Sequence, residues 1–255
     1  MRKGLALLFT IALCALLTLP FVSSRAAPKT TDGGFNLQTF ESRGNRYTVA
    51  TVDLRRVQLK LFWKDSSGKK LGSLSSLEAY LTKNGRTFLA GMNAGIFDQT
   101  ATPLGLHVER GVTLHALKTR RNGYGNFYLQ PNAVFYVDKT GAHILETLSF
   151  ERSRPAALEA TQSGPALLLS GNVHPAFQSG SDNRLARNAV GVTSRNVVQL
   201  VISDSWVNFA DMARFMQDTL KCTDALYLDG NISKLRVPGS RDEDGDFAGM
   251  IGVYR

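Results

Sequence analysis

The sequence predicts a single α+β domain, with a mixed, mostly antiparallel sheet and few helices. Short apolar or alternating runs recur along the chain, as in Val57-Gln58-Leu59-Lys60-Leu61, and runs of that kind read as strands. Only two segments, 74–81 and 208–220, space their apolar residues as a helix does. Strands and helices also fail to alternate regularly, which argues for α+β.

The elements follow in chain order. Arg2 and Lys3 precede an apolar or small stretch over 4–22, and Ser23-Ser24-Arg25-Ala26-Ala27 comes next. This is the pattern of a secretory signal over residues 1–26. An uncleaved anchor is the alternative, because the apolar run approaches the ~20 residues that span a bilayer. No later segment is apolar enough to cross one, so the expected location is periplasmic or secreted. Residues 27–44 begin polar and Gly-rich and are expected as a loose lead-in to a domain over 45–255. Strands are expected at 47–54, 57–63, 87–91, 104–109, 132–137, 197–203, 225–228 and 247–254. The first helix, 74–81, is capped by Ser73 and places Leu74, Leu77 and Leu81 on one face. The second, 208–220, carries Phe209, Met212, Phe215 and Met216 as its apolar stripe.

Charge and cysteine content narrow the function classes. The 255 residues hold 30 Lys plus Arg against 21 Asp plus Glu, a net +9, and losing Arg2, Lys3 and Arg25 with the signal leaves +6. A basic surplus favours anionic partners. Export and the lack of a recognisable nucleic-acid motif argue against nucleic acid and leave partners such as phosphorylated glycans or membrane headgroups; the reading adopted is an anionic glycan or sugar-phosphate substrate. No obligate protein partner is evident. Signal removal leaves Cys222 alone, so stability rests on a core, and Cys222 reads as a small buried apolar residue. Lys118-Thr119-Arg120-Arg121, beside Asn122-Gly123-Tyr124-Gly125-Asn126, reads first as a solvated loop.

Five segments join a polar tip and a glycine to an apolar strand: Asn93-Ala94-Gly95-Ile96-Phe97, Gly105-Leu106-His107-Val108-Glu109, Gln162-Ser163-Gly164-Pro165, Arg187-Asn188-Ala189-Val190-Gly191, and Tyr227-Leu228-Asp229-Gly230. The layout suits a sheet whose strand ends line one cleft. Each has a plainer reading as well. The Asp229-Gly230 step is also an ordinary turn, and His107 suits a satisfied sheet histidine, although alternation puts it on one face with Glu109. Ser163-Gly164-Pro165 is not a nucleophile elbow. Asp242-Glu243-Asp244-Gly245-Asp246 lacks the ligand spacing of a calcium loop. His115, His143 and His174 have no partner at zinc-ligand spacing, so no metal site is expected. No cofactor is called for, and the residues leave open whether a divalent ion assists phosphate binding.

In this order Asn93-Ala94-Gly95-Ile96-Phe97, Gly105-Leu106, Gln162-Ser163-Gly164-Pro165-Ala166-Leu167, Arg187-Asn188-Ala189-Val190-Gly191 and Tyr227-Leu228-Asp229-Gly230 resemble the phosphodiester glycosidase family, over roughly residues 45–255. One departure stands out: the family tends to follow Leu-Asp-Gly with more Gly and then Ser, whereas here Asn231 and Ile232 precede Ser233. The resemblance implies hydrolysis of a glycosyl-1-phosphodiester at the sugar carbon, in cell-envelope glycan metabolism. It makes Asp229 the expected carboxylate at the cationic sugar carbon, with Glu109 and His107 as a second acid–base pair. Arg187 and Lys234 would take the phosphate, while Asn93, Ser163, Asn188, Asn231 and Ser233 would hold oxygens of sugar or phosphate. Two other readings stay open: a glycan-binding module without turnover, and an ordinary glycosidase using Asp229 and Glu109 on an unphosphorylated link.

Overall fold

The computed structural model describes residues 30–230, 232–240 and 245–255. The 1–26 signal segment, Asn231 and residues 242–244 of the acidic run lie outside the described residues. The chain opens with β1 (Thr30–Asp32), β2 (Phe35–Ser42), β3 (Asn45–Asp53) and β4 (Gln58–Phe62), then α1 (Leu74–Lys83). Next come β5 (Phe88–Asn93), β6 (His107–Glu109), β7 (Val112–His115), a short 3-10 turn at Asn126–Tyr128, β8 (Ala133–Asp138), β9 (Gly141–Glu146) and α2 (Thr147–Ser153). After these run β10 (Glu159–Ser163), β11 (Ala166–Leu169), β12 (Asn172–Val173), β13 (Asn188–Ser194), β14 (Val197–Ser203) and α3 (Phe209–Arg214). The chain closes with β15 (Asp224–Asp229), β16 (Leu235–Arg236) and β17 (Met250–Tyr254).

The expected α+β class holds, with the strands sorted into three sheets. Their orders are β1-β2-β3-β14-β13-β15-β11-β12, β7-β6-β10-β8-β9, and β16-β5-β17-β4. The pairings described are antiparallel. All three sheets share one core, to which the first gives Val52, Leu200 and Leu226, the second Phe135 and Ile144, and the third Leu61, Met92 and Ile251. Each sheet then covers its outer face with one helix. α3 lays Met212 and Ala213 on the eight-stranded sheet, α1 lays Leu74, Leu77 and Leu81 on the four-stranded one, and α2 lays Phe150 on the five-stranded one. Burial on both faces explains why Phe88–Asn93 and Ala225–Leu228 are continuous apolar runs rather than alternating ones.

Local chemistry sets the element ends. Ser73 caps α1 by accepting the Ser76 N–H at 3.1 Å, and Asn208 caps α3 by accepting the Asp211 N–H at 2.8 Å. The expected 208–220 helix is regular only to Arg214 and then widens into a π-type turn over Phe215–Thr219. That turn seats Phe215 flat against Tyr47, with ring centroids 3.9 Å apart.

The loose lead-in expected over 27–44 is corrected. From Thr30 onward it forms β1 and β2, and β2 pairs along its full length with β3, from Phe35↔Val52 to Ser42↔Asn45. Phe35 and Leu37 join the shared core while Phe40 joins the cluster under α3, so this polar-looking segment buries apolar groups on both faces.

The seam between the four- and five-stranded sheets is closed by carboxylates. β4 is an edge strand. Its Leu61 N–H donates to Glu159 Oε2 at 2.9 Å, and the N–H of Trp63, the residue after the strand, to Glu109 Oε1 at 2.6 Å. Both glutamates are buried. An edge that would otherwise leave buried N–H groups unpaired is thereby satisfied.

Candidate active site at the junction of three sheets

Asn93 ends β5 of the four-stranded sheet, Ser163 ends β10 of the five-stranded sheet, and Asn188 and Asp229 sit paired on β13 and β15 of the eight-stranded one. Strand ends expected to line one site therefore meet, brought together from all three sheets. Hydrogen bonds tie them together. Asn188 Nδ2 donates to the Asn93 carbonyl at 2.8 Å and to Asn93 Oδ1 at 3.0 Å. Asn188 Oδ1 accepts the Asp229 N–H at 2.8 Å. Asn93 Oδ1 also accepts the Lys234 N–H at 2.9 Å. Ser163 Oγ donates to the Leu228 carbonyl at 2.9 Å and accepts the Ile96 N–H at 3.4 Å.

The close approach at Gly95 is to another backbone. A Cβ there would lie 2.4 Å from the Gln162 carbonyl, so only glycine lets the Asn93 loop seat on β10. Ser233 keeps its place despite Asn231 and Ile232. Its Oγ lies 2.9 Å from the Asp229 carbonyl, 3.3 Å from that of Ala186 and 3.4 Å from Asn188 Oδ1. The loop thus returns to the strand it left. Asp229 is half-buried, and its Oδ1 accepts the Gly230 N–H at 2.6 Å.

Arg187 is fully buried. Nε donates to the Val207 carbonyl at 2.8 Å, and Nη2 donates to Asn183 at its carbonyl (3.0 Å) and Oδ1 (2.9 Å). The guanidinium lies on the Phe209 ring, 3.9 Å from its centroid. Nη1 has no hydrogen-bond partner among the described residues. It faces Gly230, where a Cβ would stand 3.4 Å from Nη1 and 2.1 Å from the Tyr227 hydroxyl. Burial lowers the Arg187 pKa, yet a guanidinium stays charged in a protein. Burial likewise pushes the Tyr227 phenol up to about 12, so it remains a neutral hydroxyl. The guanidinium also lies by Tyr227, 5.5 Å from its ring centroid, and a buried cation with one unsatisfied donor nitrogen is suited to holding an anionic oxygen.

His107 and Glu109 are placed differently. They pair with each other, Nε2 to Oε1 at 2.9 Å, and both are buried. Glu109 Oε1 is the acceptor for the Trp63 N–H in the β4 seam, and His107 is packed against Gly249. Among the described residues no hydrogen bond joins this pair to Asn93 or Asn188, while His107 Nδ1, buried and without a hydrogen-bond partner among them, lies by Gly249 next to Ala94. Cys222 is buried and its thiol is pushed up to about 12 by burial, in keeping with a packing role.

Sequence reasoning missed the surroundings of Arg187. Tyr227 stands two residues before Asp229 on the same strand, and that period alone marks it as sharing a face with the carboxylate. Asn183, Phe209 and Asn126 carry no such sequence signal, since loops and a helix start bring them in. Asn126 Nδ2 donates to the Tyr227 hydroxyl at 3.4 Å.

Comparison with known proteins decides the family. Residues 86–248 match the phosphodiester glycosidase family. The chain belongs to that family. It is 34% identical over 209 residues to the uncharacterized protein YigE of Escherichia coli K12, covering 80% of each chain. Among solved structures, it is similar to the zebrafish N-acetylglucosamine-1-phosphodiester alpha-N-acetylglucosaminidase catalytic domain auto-inhibited by pro-peptide. The TM-score is 0.58 and the identity 18%, with 94% of this chain and 85% of that one covered. A hypothetical protein from Synechocystis gives a TM-score of 0.59 at 15% identity, covering 87% of this chain. The chain spans 62% of that protein's length. At such identities the structural likenesses speak for the fold. Family membership supports phosphodiester glycosidase activity as the general reaction class. Among the described residues no helix is long and apolar enough to cross a membrane.

Proposed function

We propose that this family member is an exported hydrolase that cleaves a glycosyl-1-phosphodiester at the sugar carbon, in the metabolism of a cell-envelope glycan. The observation that carries this reading is the buried Arg187, whose Nη1 has no hydrogen-bond partner among the described residues and lies by Gly230, the residue that follows the half-buried Asp229. A phosphate oxygen brought against Nη1 would satisfy the guanidinium, with Lys234 adding charge. The sugar carbon would then face Asp229.

The chemistry follows from charge. The bond from C1 to the bridging oxygen breaks, and its electron pair leaves on a phosphate monoester. That leaving group is good, with a second ionisation near pKa ~6, and needs little help from a general acid. The site must hold the phosphate and stabilise a cationic sugar carbon. Asp229 does the latter and accepts the proton of the water that adds to C1. Asn93, Ser163, Asn188 and Ser233 set the geometry around them. In this scheme the His107–Glu109 pair fixes β6 against β4 rather than exchanging protons with substrate. Export rests on the 1–26 signal pattern.

The test is sugar release from N-acetylglucosamine-1-phosphodiesters by protein lacking residues 1–26, with Asp229→Ala as control. Release by the parent protein and its loss in a folded variant are expected. Saturable binding without release, across several sugars, would establish a glycan-binding module instead. Equal turnover after removing the phosphate would establish an ordinary glycosidase.

A further inference from the structure

The segment 118–126, Lys-Thr-Arg-Arg-Asn-Gly-Tyr-Gly-Asn, has three cations and no acidic residue. It is fastened at both ends to elements of the candidate site. At its start, the Lys118 N–H donates to Gln162 Oε1 at 3.0 Å, and Gln162 Nε2 donates back to the Lys118 carbonyl at 2.8 Å. Gln162 immediately precedes Ser163. At its end, Asn126 donates to the Tyr227 hydroxyl, the group that crowds Gly230 beside Arg187. Between these anchors Gly123 lies against the Tyr128 ring, and Lys118 Nζ stands 5.9 Å from the centroid of that ring. Arg120, Arg121 and Tyr124 are turned outward, Tyr124 with 101% of its surface exposed. Neither arginine is paired with a carboxylate among the described residues.

An ordinary solvated loop needs no such double fastening. Held at Gln162 and at Tyr227, the loop keeps two exposed guanidinium groups and a bare phenol ring on the segment that joins these two elements of the candidate site. Arg187 is the buried cation of the site, so the exposed charge on the loop is available to something farther along the ligand. We infer that the 118–126 loop selects substrates whose aglycone, the group beyond the scissile phosphate, carries a second anionic group. Arg120 and Arg121 are the specificity-determining cations and Tyr124 gives the aglycone a face to rest on. This inference rests on the proposed phosphodiester reading for the position of the phosphate.

The test uses ligands that cannot be cleaved, so that binding is read apart from turnover. Two N-acetylglucosamine methylene-phosphonates are compared by calorimetry, one an ethyl ester and the other a 2-phosphoethyl ester. The parent protein should bind the 2-phosphoethyl ligand about tenfold more tightly at low salt, and 0.5 M salt should shrink the difference, because exposed charges are screened. The double variant Arg120→Gln/Arg121→Gln should lose the preference and keep the parent's affinity for the ethyl ester. Equal affinities in the parent, or a preference surviving in the double variant, would overturn the inference. A preference lost in the variant, with no hydrolysis of any matching phosphodiester, would sink the proposed reaction and leave the loop's role standing. Hydrolysis with no preference would do the reverse.

Discussion

Asn188 reaches across two sheets to Asn93, donating from Nδ2 to its carbonyl at 2.8 Å and its side-chain oxygen at 3.0 Å. The other end of the same amide holds the Asp229 N–H. One buried side chain therefore sets both the seam between sheets and the position of the candidate carboxylate. Asn188→Asp keeps the shape and removes the donor, which places a buried carboxylate against two acceptors. The expected cost is about 3 kcal/mol, with kcat/KM for sugar release down by at least an order of magnitude. Urea unfolding and initial rates check it, and an unchanged midpoint would remove Asn188 from this role.

Phe209 supports the Arg187 guanidinium by face contact at 3.9 Å. A buried cation–π contact is worth about 2 kcal/mol. Phe209→Leu keeps apolar bulk but removes the ring quadrupole, so KM for the phosphodiester should rise about tenfold while kcat falls little. A fall in kcat with KM unchanged would place Arg187 on the reacting centre rather than in ground-state phosphate binding.

Gly230 and Tyr227 should be coupled. A Cβ at 230 would stand 2.1 Å from the phenol oxygen, so Gly230→Ala should destabilise the fold by about 1–3 kcal/mol. Tyr227→Phe removes the obstructing atom. The double variant should recover much of the stability lost by Gly230→Ala, a non-additivity read from thermal or urea unfolding. Additive losses would show that the glycine serves another purpose.

Glu159 gives the stability a pH dependence. Burial raises its carboxyl from an ordinary 4.5 to about 7, with Glu109 adding to the rise and the Leu61 and Arg110 N–H groups opposing it. The folded state then binds more protons than the unfolded one between these values. This contribution to stability therefore falls as pH rises from about 4.5 to about 7, by an amount of the order of 2–3 kcal/mol. Unfolding free energies of the parent should fall across that window and those of Glu159→Gln should fall less. Parallel curves would refute the assignment.

Much of the fold was legible because local signals agreed with the tertiary outcome. Ser73 with Leu74, Leu77 and Leu81 marked α1, and the apolar run before Asp229 marked β15. β2 was not legible, since Asn36, Gln38 and Thr39 masked a strand whose Phe35 and Phe40 serve opposite faces. The division into three sheets was hidden too, because pairing between distant strands has no local signature. At the site, Asn93, Ser163, Asn188 and Asp229 were readable as polar strand ends. The burial of Glu109 was not, because the Trp63 N–H that engages it lies 46 residues away in sequence.

The junction of three sheets has a consequence for how activity can be lost. Asn93, Ser163 and Asp229 come from different sheets, so no fragment or partly unfolded form carries a complete site. Residual activity during denaturation should count only fully assembled molecules. The 118–126 loop belongs to no sheet, and Arg120, Arg121 and Tyr124, which take no part in its anchoring to Gln162 and Tyr227, can vary without disturbing that assembly. Diversification of ligand preference among relatives would therefore run along such positions, while the junction stays under the constraint of folding itself.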